Sequence, residues 1–302
     1  MVVNRRLTGP GSGKDTRHLA IDLVIWGLKF EVGDSMAVHP LNDPELVDEI
    51  IAAIGAKGDE PVPGTRTAML PFREALLREY RMTAVTPKFL KAIVERASSA
   101  PLIKELLDPT RKADLDNYLW GMEVIDFLVD HPSARFAPAE LVGLLAKLQP
   151  RLYSVASSLK AFPDALHLTV DVVRYESHGR KRKGVCSSFL AERAENVPIP
   201  CFPSSSKFRL PEDGDIPIIM VGPGTGVAPF RAFLQERKVV GARGKSWLFF
   251  GSQNAKSAYF YEEEFAAFEK EGYLIRLDTA FSRDQAEKLS VTPRMREKTS
   301  DI

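Results

Sequence analysis

The 302-residue sequence has little cysteine, no long apolar run and almost no excess of charge. Cys186 and Cys201 are its only cysteines, which excludes a disulfide-rich miniprotein, and with five scattered histidines they leave no zinc-ligand spacing. No stretch of about 20 apolar residues is present to span a bilayer, and residues 1–10 lack an apolar signal core. These features favour a cytoplasmic protein with reduced thiols.

The charges are balanced, with 41 basic and 40 acidic residues and a net charge of +1. Such a balance gives no general attraction to nucleic acid or to an anionic membrane. Because 44% of the residues are hydrophobic, the chain can bury a substantial core, and its length suggests two domains.

The first half of the chain changes from strands to helices and back to strands. Residues 18–23 and 35–38 have the pattern of short strands, whereas 42–149 is helical, and 151–158 and 167–175 are strand-like again. This order predicts one β domain split by a helical insertion. Two unrelated domains that abut are the alternative.

Helix signals support the insertion. Asn42-Asp43-Pro44 and Thr86-Pro87 each combine a capping residue with a proline suited to a first helical turn, and Gly55 marks a stop. Helices are also predicted over 113–129 and 138–148.

The last third alternates strands with helices. Strands are predicted at 216–221, 245–250 and 274–280, with helices at 228–236 and 261–270 between them. This alternation predicts a parallel α/β sheet.

A glycine turn follows the first of these strands. Gly222, Gly224, Thr225 and Gly226 lie between that strand and a helix, where backbone N–H groups can bind a phosphate. A tight turn without a ligand is the alternative.

Arg151, Leu152, Tyr153 and Ser154 form a strand that starts the second β segment. Alternation puts Arg151 and Tyr153 on one face, where an arginine could hold a phosphate and a tyrosine could cover a flat heterocycle. An ordinary strand with polar surface residues is the alternative.

Gly184, Val185, Cys186 and Ser187 follow a predicted loop at 176–183. Small and hydroxyl residues before a helix can present donors to a pyrophosphate, although a plain helix cap has the same composition.

Ser282, Arg283 and Lys288 follow the third α/β strand, where ligands of open parallel sheets lie. Two cations and a hydroxyl suit the phosphate that distinguishes NADP from NAD. A solvated charged loop that includes Asp284 and Glu287 is the alternative.

These four motifs occur in an order that resembles the ferredoxin–NADP reductase-type module of diflavin reductases, with particular similarity to the flavoprotein α-component of NADPH-dependent sulfite reductases. The resemblance extends over about residues 4–297. It depends on six segments, which are RLYSVASS at 151–158, GVCSSFL at 184–190, FRLP at 208–211, GPGTGVAPFRAF at 222–233, FFG at 249–251 and FSRDQAEK at 281–288.

The resemblance implies two cofactors, FAD and NADP. For FAD it implies that Arg151 holds a flavin phosphate, that Tyr153 lies on the isoalloxazine and that Ser154, the one catalytic candidate, lies near the reactive N5. The adenosine half and the pyrophosphate of FAD would be bordered by Thr169, Val170, Asp171, Tyr175, Gly184, Val185, Cys186 and Ser187.

For NADP, the resemblance implies that Gly222, Gly224, Thr225 and Gly226 receive the pyrophosphate. The 2′-phosphate would be bound by Ser282, Arg283 and Lys288. Ser290 stands where the family usually has a tyrosine that stacks on the adenine, so we expect weaker NADP binding with an unchanged preference for NADP.

The fold implied is a six-stranded antiparallel Greek-key barrel in residues 1–211, with the helical insertion at about 42–149. A parallel α/β NADP-binding domain at 212–302 follows, and it is expected to lack its C-terminal end because relatives continue for two more strands beyond Ile302.

The implied function is an FAD-dependent oxidoreductase module that accepts hydride from NADPH. Electrons would pass to a flavodoxin-like FMN protein or domain, or to a sulfite reductase haemoprotein subunit. One alternative is an FAD-binding remnant without NADPH turnover, and another is an interaction subunit that has lost both cofactors.

Two further features have open interpretations. The basic run at 178–183 could dock an acidic electron-transfer partner, although a solvated loop is favoured slightly. Trp26, Phe30 and Trp120 are expected to be packing residues.

A half-built sheet leaves an unpaired strand edge, so we predict that the region after Ile216 is marginally stable alone. Hydrogen exchange measures this stability. Fast exchange of the backbone amides is expected, and strong protection throughout 216–280 would contradict the prediction.

Overall fold

The structure is a computed structural model that describes residues 1–24, 27–66, 68–97 and 100–301, so the expectation for Trp26 lies outside the described residues. The strands are β1 Val3–Arg6, β2 Thr16–Asp22, β3 Ser35–Val38, β4 Pro61–Pro63, β5 Met69–Pro71, β6 Tyr80–Arg81, β7 Ala146–Lys147, β8 Arg151–Ser154, β9 Ala165–Asp171, β10 Arg174–Ser177, β11 Arg180–Lys183, β12 Cys201–Ser204, β13 Ile218–Pro223, β14 Ser246–Ser252 and β15 Arg276–Phe281.

The α-helices are α1 Pro44–Ile54, α2 Phe72–Arg78, α3 Pro87–Arg96, α4 Pro101–Leu106, α5 Lys112–Leu119, α6 Val124–Asp130, α7 Pro138–Leu144, α8 Val185–Ser188, α9 Ala228–Val240, α10 Ala255–Ala258, α11 Glu262–Lys270 and α12 Val291–Arg296. A π-helical turn, Phe189–Arg193, follows α8, and a 3₁₀ turn, Gly224–Val227, precedes α9. Among the described helices, none has the length and apolar character needed to cross a membrane.

The chain divides into two compact units. The sheet unit consists of Met1–Val38, Arg151–Val173 and the chain from Leu190 onward. The helical unit consists of His39–Pro150 and Arg174–Phe189. Each unit is therefore assembled from segments that are distant in the sequence.

Two antiparallel sheets lie in the sheet unit. One has the strand order β1-β2-β9 and the other has the order β12-β3-β8. A single bridge between Val155 and Leu168 connects the end of β8 to β9. In the described ranges these six strands do not form one closed barrel, so the structure supports antiparallel sheets without the predicted closure.

A parallel sheet with the order β13-β14-β15 completes the sheet unit and confirms the predicted α/β alternation. The central strand is buried on both faces: Leu248 and Phe250 belong to the core that includes residues of α9 and α11, whereas Trp247 and Phe249 pack with Val291 of α12. A near-continuous apolar sequence is typical of such a strand.

The sheet face that carries Trp247 and Phe249 of β14 is less well buried at the neighbouring strand β13. Ile219 and Val221 lie opposite these two residues in the parallel register, and both are exposed. Two large apolar side chains of β13 are therefore exposed.

The helical unit follows the predicted caps. Asp43 caps α1, Gly55 ends it in the left-handed conformation, and the hydroxyl of Thr86 accepts the Phe89 N–H at the start of α3. Its core contains several fully buried aromatic and aliphatic side chains, among them Phe72, Leu76, Phe89 and Phe127.

Four predicted elements in and around this region were wrong in extent or type. The predicted helix 113–129 is two helices, α5 and α6, because Gly121 has a φ of +74° and a Cβ there would lie 2.2 Å from the Ser177 hydroxyl. The predicted loop 176–183 lies within the hairpin of β10 and β11. The predicted strand 167–175 is divided between β9 and β10, and the helix predicted to reach 148 ends at Leu144 because β7 pairs with β6.

The turn before β3 is fastened to the segment that follows β12. The Asp34 carboxylate accepts N–H groups of Glu31 at 2.9 Å and Ser206 at 3.1 Å, and a guanidinium N–H of Arg209 at 2.6 Å. Burial alone raises the pKa of Asp34, but these donors outweigh it and hold that pKa below its ordinary value.

Gly33 lets this turn form, because its φ is +94° and a Cβ there would lie 1.8 Å from the Phe208 carbonyl oxygen. We predict that Gly33→Ala lowers the free energy of unfolding by more than about 2 kcal/mol. Gly241→Ala is the matched control, since φ is +70° but nothing lies within 4 Å, and it should cost about 1 kcal/mol. Urea denaturation measures both, and equal losses would show that the close approach is unimportant.

Candidate functional site

The candidate flavin strand β8 is the terminal strand of its sheet. Arg151, Leu152 and Ser154 are exposed and Tyr153 is half-buried, with Tyr153 opposite the fully buried Met36 of β3. The predicted flavin residues therefore lie side by side on an accessible strand. A planar group and a phosphate could both reach it.

The three predicted residues of β9 differ from one another. Val170 is fully buried, and the Thr169 hydroxyl lies 2.6 Å from the hydroxyl of Tyr261, a residue at the start of α11. Only Asp171 presents a polar side chain at a surface, and it accepts the ammonium of Lys14 at 2.7 Å. The side chains of Thr169 and Val170 are thus used inside the sheet unit.

The helical unit holds the other predicted FAD residues. Gly184 precedes α8, in which Cys186 and Ser187 are buried. The hydroxyl of the adjacent Ser188 is buried and has no hydrogen-bond partner among the described residues. A small-residue turn with a buried hydroxyl fits a polar ligand such as a phosphate.

Tyr175 lies on β10, and its side chain is exposed. The ring of Trp120 lies 6.5 Å from it and is 70% exposed. The expectation that Trp120 is a packing residue was therefore wrong, because its side chain is largely exposed. Phe30 is buried, as expected.

The basic hairpin of β10 and β11 is largely neutralised within the helical unit. Arg182 is buried and donates to Glu123 at 3.2 Å and to Asp126 at 2.6 Å. Arg180 pairs with Glu49, and Lys183 pairs with Asp43 at 2.9 Å. These pairings favour the interpretation without a docking partner.

A cleft of about 320 Å³ lies at the carboxyl ends of the parallel strands. Its walls include Gly224 and Thr225 after β13, and Ser282 and Lys288 after β15. Ligands of parallel sheets bind at such an edge. The structure thus brings together residues from two motifs that are some 60 positions apart in the sequence.

The glycines of the turn serve different purposes. A Cβ on Gly222 would lie 2.8 Å from both the Phe230 ring and the Val227 Cα, so this position needs glycine for packing. Gly224 has a φ of +56° and nothing within 4 Å on its Cβ side, which leaves its backbone open to the cleft. Gly226 is exposed and does not line the cleft.

Backbone contacts hold the loop after β15. The N–H of Ser282 donates to Ser252 at 2.9 Å and that of Arg283 to Gln253 at 2.8 Å. The Asp284 carboxylate accepts the N–H of Ala255, so this acidic residue organises the loop. Arg283 is exposed beside the cleft residue Ser282 without lining the cleft itself.

Sequence reasoning missed several cleft residues, namely Lys14, Thr16, Gly251, Ser252 and Gln253. Gly251 and Ser252 end the buried strand β14 and Gln253 follows it, and this position at a carboxyl end was a usable signal. Lys14 and Thr16 had no local signal, because they reach the cleft only through the pairing of β2 with β9.

Helix α9 connects the turn to the candidate flavin strand. The Gln235 side chain accepts the Ser158 N–H at 3.1 Å, and the Arg231 guanidinium donates to the Ala156 carbonyl at 2.5 Å. The Ser158 hydroxyl donates to Glu236 at 2.5 Å. The segment that directly follows β8 is therefore fixed to the helix that directly follows the glycine turn.

A buried pair of histidines lies beside this junction. The rings of His18 and His167 are 4.8 Å apart, His18 contacts the Tyr261 hydroxyl at 3.1 Å, and Arg231 donates to His167 at 3.1 Å. Burial, reinforced by the Arg231 charge, lowers the pKa of His18 to about 3 and that of His167 to about 4. Both rings are neutral at ordinary pH.

The described residues contain no group of three or more His, Cys, Asp or Glu side chains able to hold a metal ion. The polar groups at β8, α8 and the cleft instead suit phosphates and flat rings. These groups are chemically suited to FAD and NADP, the two cofactors that the sequence predicts.

Comparisons with known proteins agree with this assignment. The family described as "FAD binding domain" matches residues 1–189, and the family described as "Oxidoreductase NAD-binding domain" matches residues 220–301. The chain therefore has an FAD-binding and an NAD-binding region, and the cofactor prediction is confirmed.

The sulfite reductase [NADPH] flavoprotein alpha-component of Bacillus subtilis (strain 168) is 42% identical over 303 residues, which are 99% of this chain and 50% of that protein. The corresponding protein of Escherichia coli O157:H7 is 41% identical over 307 residues, again 99% of this chain and 50% of the relative. The predicted resemblance is confirmed, and the chain spans about half the length of these curated relatives.

The histidine pair makes stability depend on pH. An unfolded chain protonates its histidines near pH 6.5, whereas the folded protein resists protonation down to about pH 4 at His167 and about pH 3 at His18. The unfolded state binds more protons in this window, so the free energy of unfolding should fall as the pH falls from about 6.5 to 4. Urea denaturation at several pH values tests this. His167→Gln should flatten the dependence, and an unchanged slope would contradict it.

Proposed function

Because the chain belongs to the FAD binding domain family, we propose that it is an FAD-dependent oxidoreductase module that accepts hydride from NADPH and passes electrons to an FMN or haem partner, as in assimilatory sulfite reduction. One observation carries the proposal. The exposed strand β8 and the nucleotide cleft are parts of one compact unit, and α9 joins them through Arg231, Gln235 and Glu236.

In the proposed FAD site, Arg151 binds a flavin phosphate and Tyr153 covers the isoalloxazine ring. The Ser154 hydroxyl, which is exposed at the end of β8, offers a hydrogen bond to the reactive nitrogen. Tyr175 and the turn 184–187 contribute to the adenosine and pyrophosphate parts. No strong acid or base is needed, because the residues orient the ring rather than transfer protons through a dyad.

In the proposed NADP site, the open backbone at Gly224 and the hydroxyl of Thr225 face the pyrophosphate. Ser282, Arg283 and Lys288 bind the 2′-phosphate, which gives the preference for NADPH. When bound, FAD supplies hydride acceptance and release of single electrons.

We also propose the finer architecture. The FAD-binding domain extends over 1–211 with the helical insertion at about 42–149, and the NADP-binding domain begins at 212. The bridge between Val155 and Leu168 supports a Greek-key barrel, since it joins the two antiparallel sheets. The partner is a flavodoxin-like FMN protein or domain, or a haemoprotein subunit, because reduction of sulfite requires a haem-bearing protein.

The function is tested by anaerobic titration of the FAD-loaded chain with NADPH, followed through the visible flavin absorption. The band should bleach within seconds. NADH should bleach it at least about tenfold more slowly, because the 2′-phosphate contacts are charge-assisted hydrogen bonds.

Two controls complete the titration. Dithionite must bleach the same band, which shows that the bound flavin is reducible. Lys270→Met, at an exposed lysine of α11 outside the cleft, should behave as the wild type, whereas Lys288→Met should slow bleaching at low NADPH. A band that stays oxidised under excess NADPH but responds to dithionite would overturn the proposed function.

A further inference from the structure

The nucleotide cleft contains a cation that belongs to none of the sequence motifs. Lys14 lines the cleft together with Gly224, Thr225 and Lys288. It lies in the connection between β1 and β2, two strands of an antiparallel sheet, and not after one of the parallel strands. Its ammonium lies 2.7 Å from Asp171, and its side chain is about half exposed, at 51%.

The loop that carries Lys14 is held against the segment that follows β14, including α10. The Gly9 N–H donates to the Ser257 carbonyl at 2.8 Å, and a Cβ on Gly13 would lie 3.9 Å from the Gln253 side-chain oxygen. Thr16 also donates to Asp171, at 3.1 Å. Lys14 is therefore directed to the cleft by contacts on both sides of it.

The position along the cleft favours one part of the nucleotide. Asp171 ends β9, and β9 packs against the 3₁₀ turn Gly224–Val227, whose open backbone faces the cleft. Lys288 follows β15, the strand at the opposite edge of the parallel sheet from β13. Lys14 is thus associated with the turn assigned to the pyrophosphate, and Lys288 with the 2′-phosphate.

We propose that Lys14 binds the pyrophosphate of NADP and exchanges its contact with Asp171 for one with a phosphate oxygen when the nucleotide enters. This inference rests on the proposed NADP site. A partly exposed ion pair contributes little to stability, so Lys14 can leave Asp171 at small cost. The pyrophosphate carries two negative charges in all, one on each phosphate, whereas Asp171 carries one, and the pyrophosphate oxygens can accept from the same ammonium.

The test is calorimetric binding to the FAD-loaded chain, with NADP⁺ and 2′-AMP as ligands. 2′-AMP carries the 2′-phosphate but no pyrophosphate. Lys14→Met should weaken NADP⁺ binding about tenfold, the loss of one charged hydrogen bond, and leave 2′-AMP binding unchanged. Lys288→Met should weaken both ligands, and Lys91→Met, at an exposed lysine of α3, should weaken neither.

Asp171→Asn provides the second arm, because it removes the competitor for Lys14. NADP⁺ binding should tighten several-fold in this variant, and the gain should disappear in the double variant with Lys14→Met. Lys14→Arg should retain most of the affinity, which separates charge from any effect on folding.

The outcomes distinguish the two proposals. If Lys14→Met binds NADP⁺ as tightly as the wild type does, the role of Lys14 is overturned and the proposed NADP site is not affected. An equal loss of NADP⁺ and 2′-AMP in Lys14→Met moves the residue to the 2′-phosphate and overturns the pyrophosphate assignment. Wild-type protein that binds neither ligand overturns the proposed NADP site and this inference with it.

Discussion

Arg231 is a buried cation at the junction of the antiparallel and parallel sheets, and the arrangement of the candidate site depends on its partners. Its guanidinium donates to Glu264 at 2.7 Å and to the Ala156 carbonyl at 2.5 Å, and its Cζ lies 4.8 Å from the centroid of the Tyr261 ring. Removing one partner of a buried charge costs several kcal/mol, roughly 3–5. Helix α9, the start of α11 and the segment after β8 are therefore held together by one residue.

This constraint matters for the proposed chemistry because transfer between two flat rings is sensitive to their separation. Ala156 is two residues beyond Ser154, and Arg231 is on the first turn of the helix that begins at the glycine turn. A displacement of about 1 Å between reacting groups can lower a rate by two orders of magnitude. The neutral histidines add to the same junction, since a protonated ring beside Arg231 would place two cations in a buried site.

Local sequence signals predicted most of the longer strands and helices of the chain. The caps at Asp43, Thr86 and Gly55 were readable because each acts within one helical turn, and the parallel strands were readable from their buried apolar runs. Breaks that depend on distant residues were not: Gly121 turns where it does because Ser177, in another segment, lies against it. Whether the two antiparallel sheets close into a barrel likewise depends on pairing between strands that are distant in the sequence, which local signals do not encode.

The candidate site was predictable to the same extent. Residues that belong to motifs, such as Ser282 and Gly224, do line the cleft, because a motif encodes its own turn or strand end. The role of Asp171 at the cleft wall could not be predicted, since it follows from the position of Lys14, which precedes β2 and lies more than 150 residues earlier in the sequence.

The cations illustrate why local density of charge is a poor guide to binding. The densest basic run, at 178–183, is the least available, because Arg182 is buried and its release from Glu123 and Asp126 would leave carboxylates unpaired inside the helical unit. Lys14 is isolated in the sequence, yet its pair with Asp171 is partly exposed and costs at most about 1 kcal/mol to separate. A cation can bind a ligand only when its interaction with its partner in the free protein is weaker than its interaction with the ligand. Burial, rather than the number of neighbouring charges, therefore decides which basic residues can take part in binding.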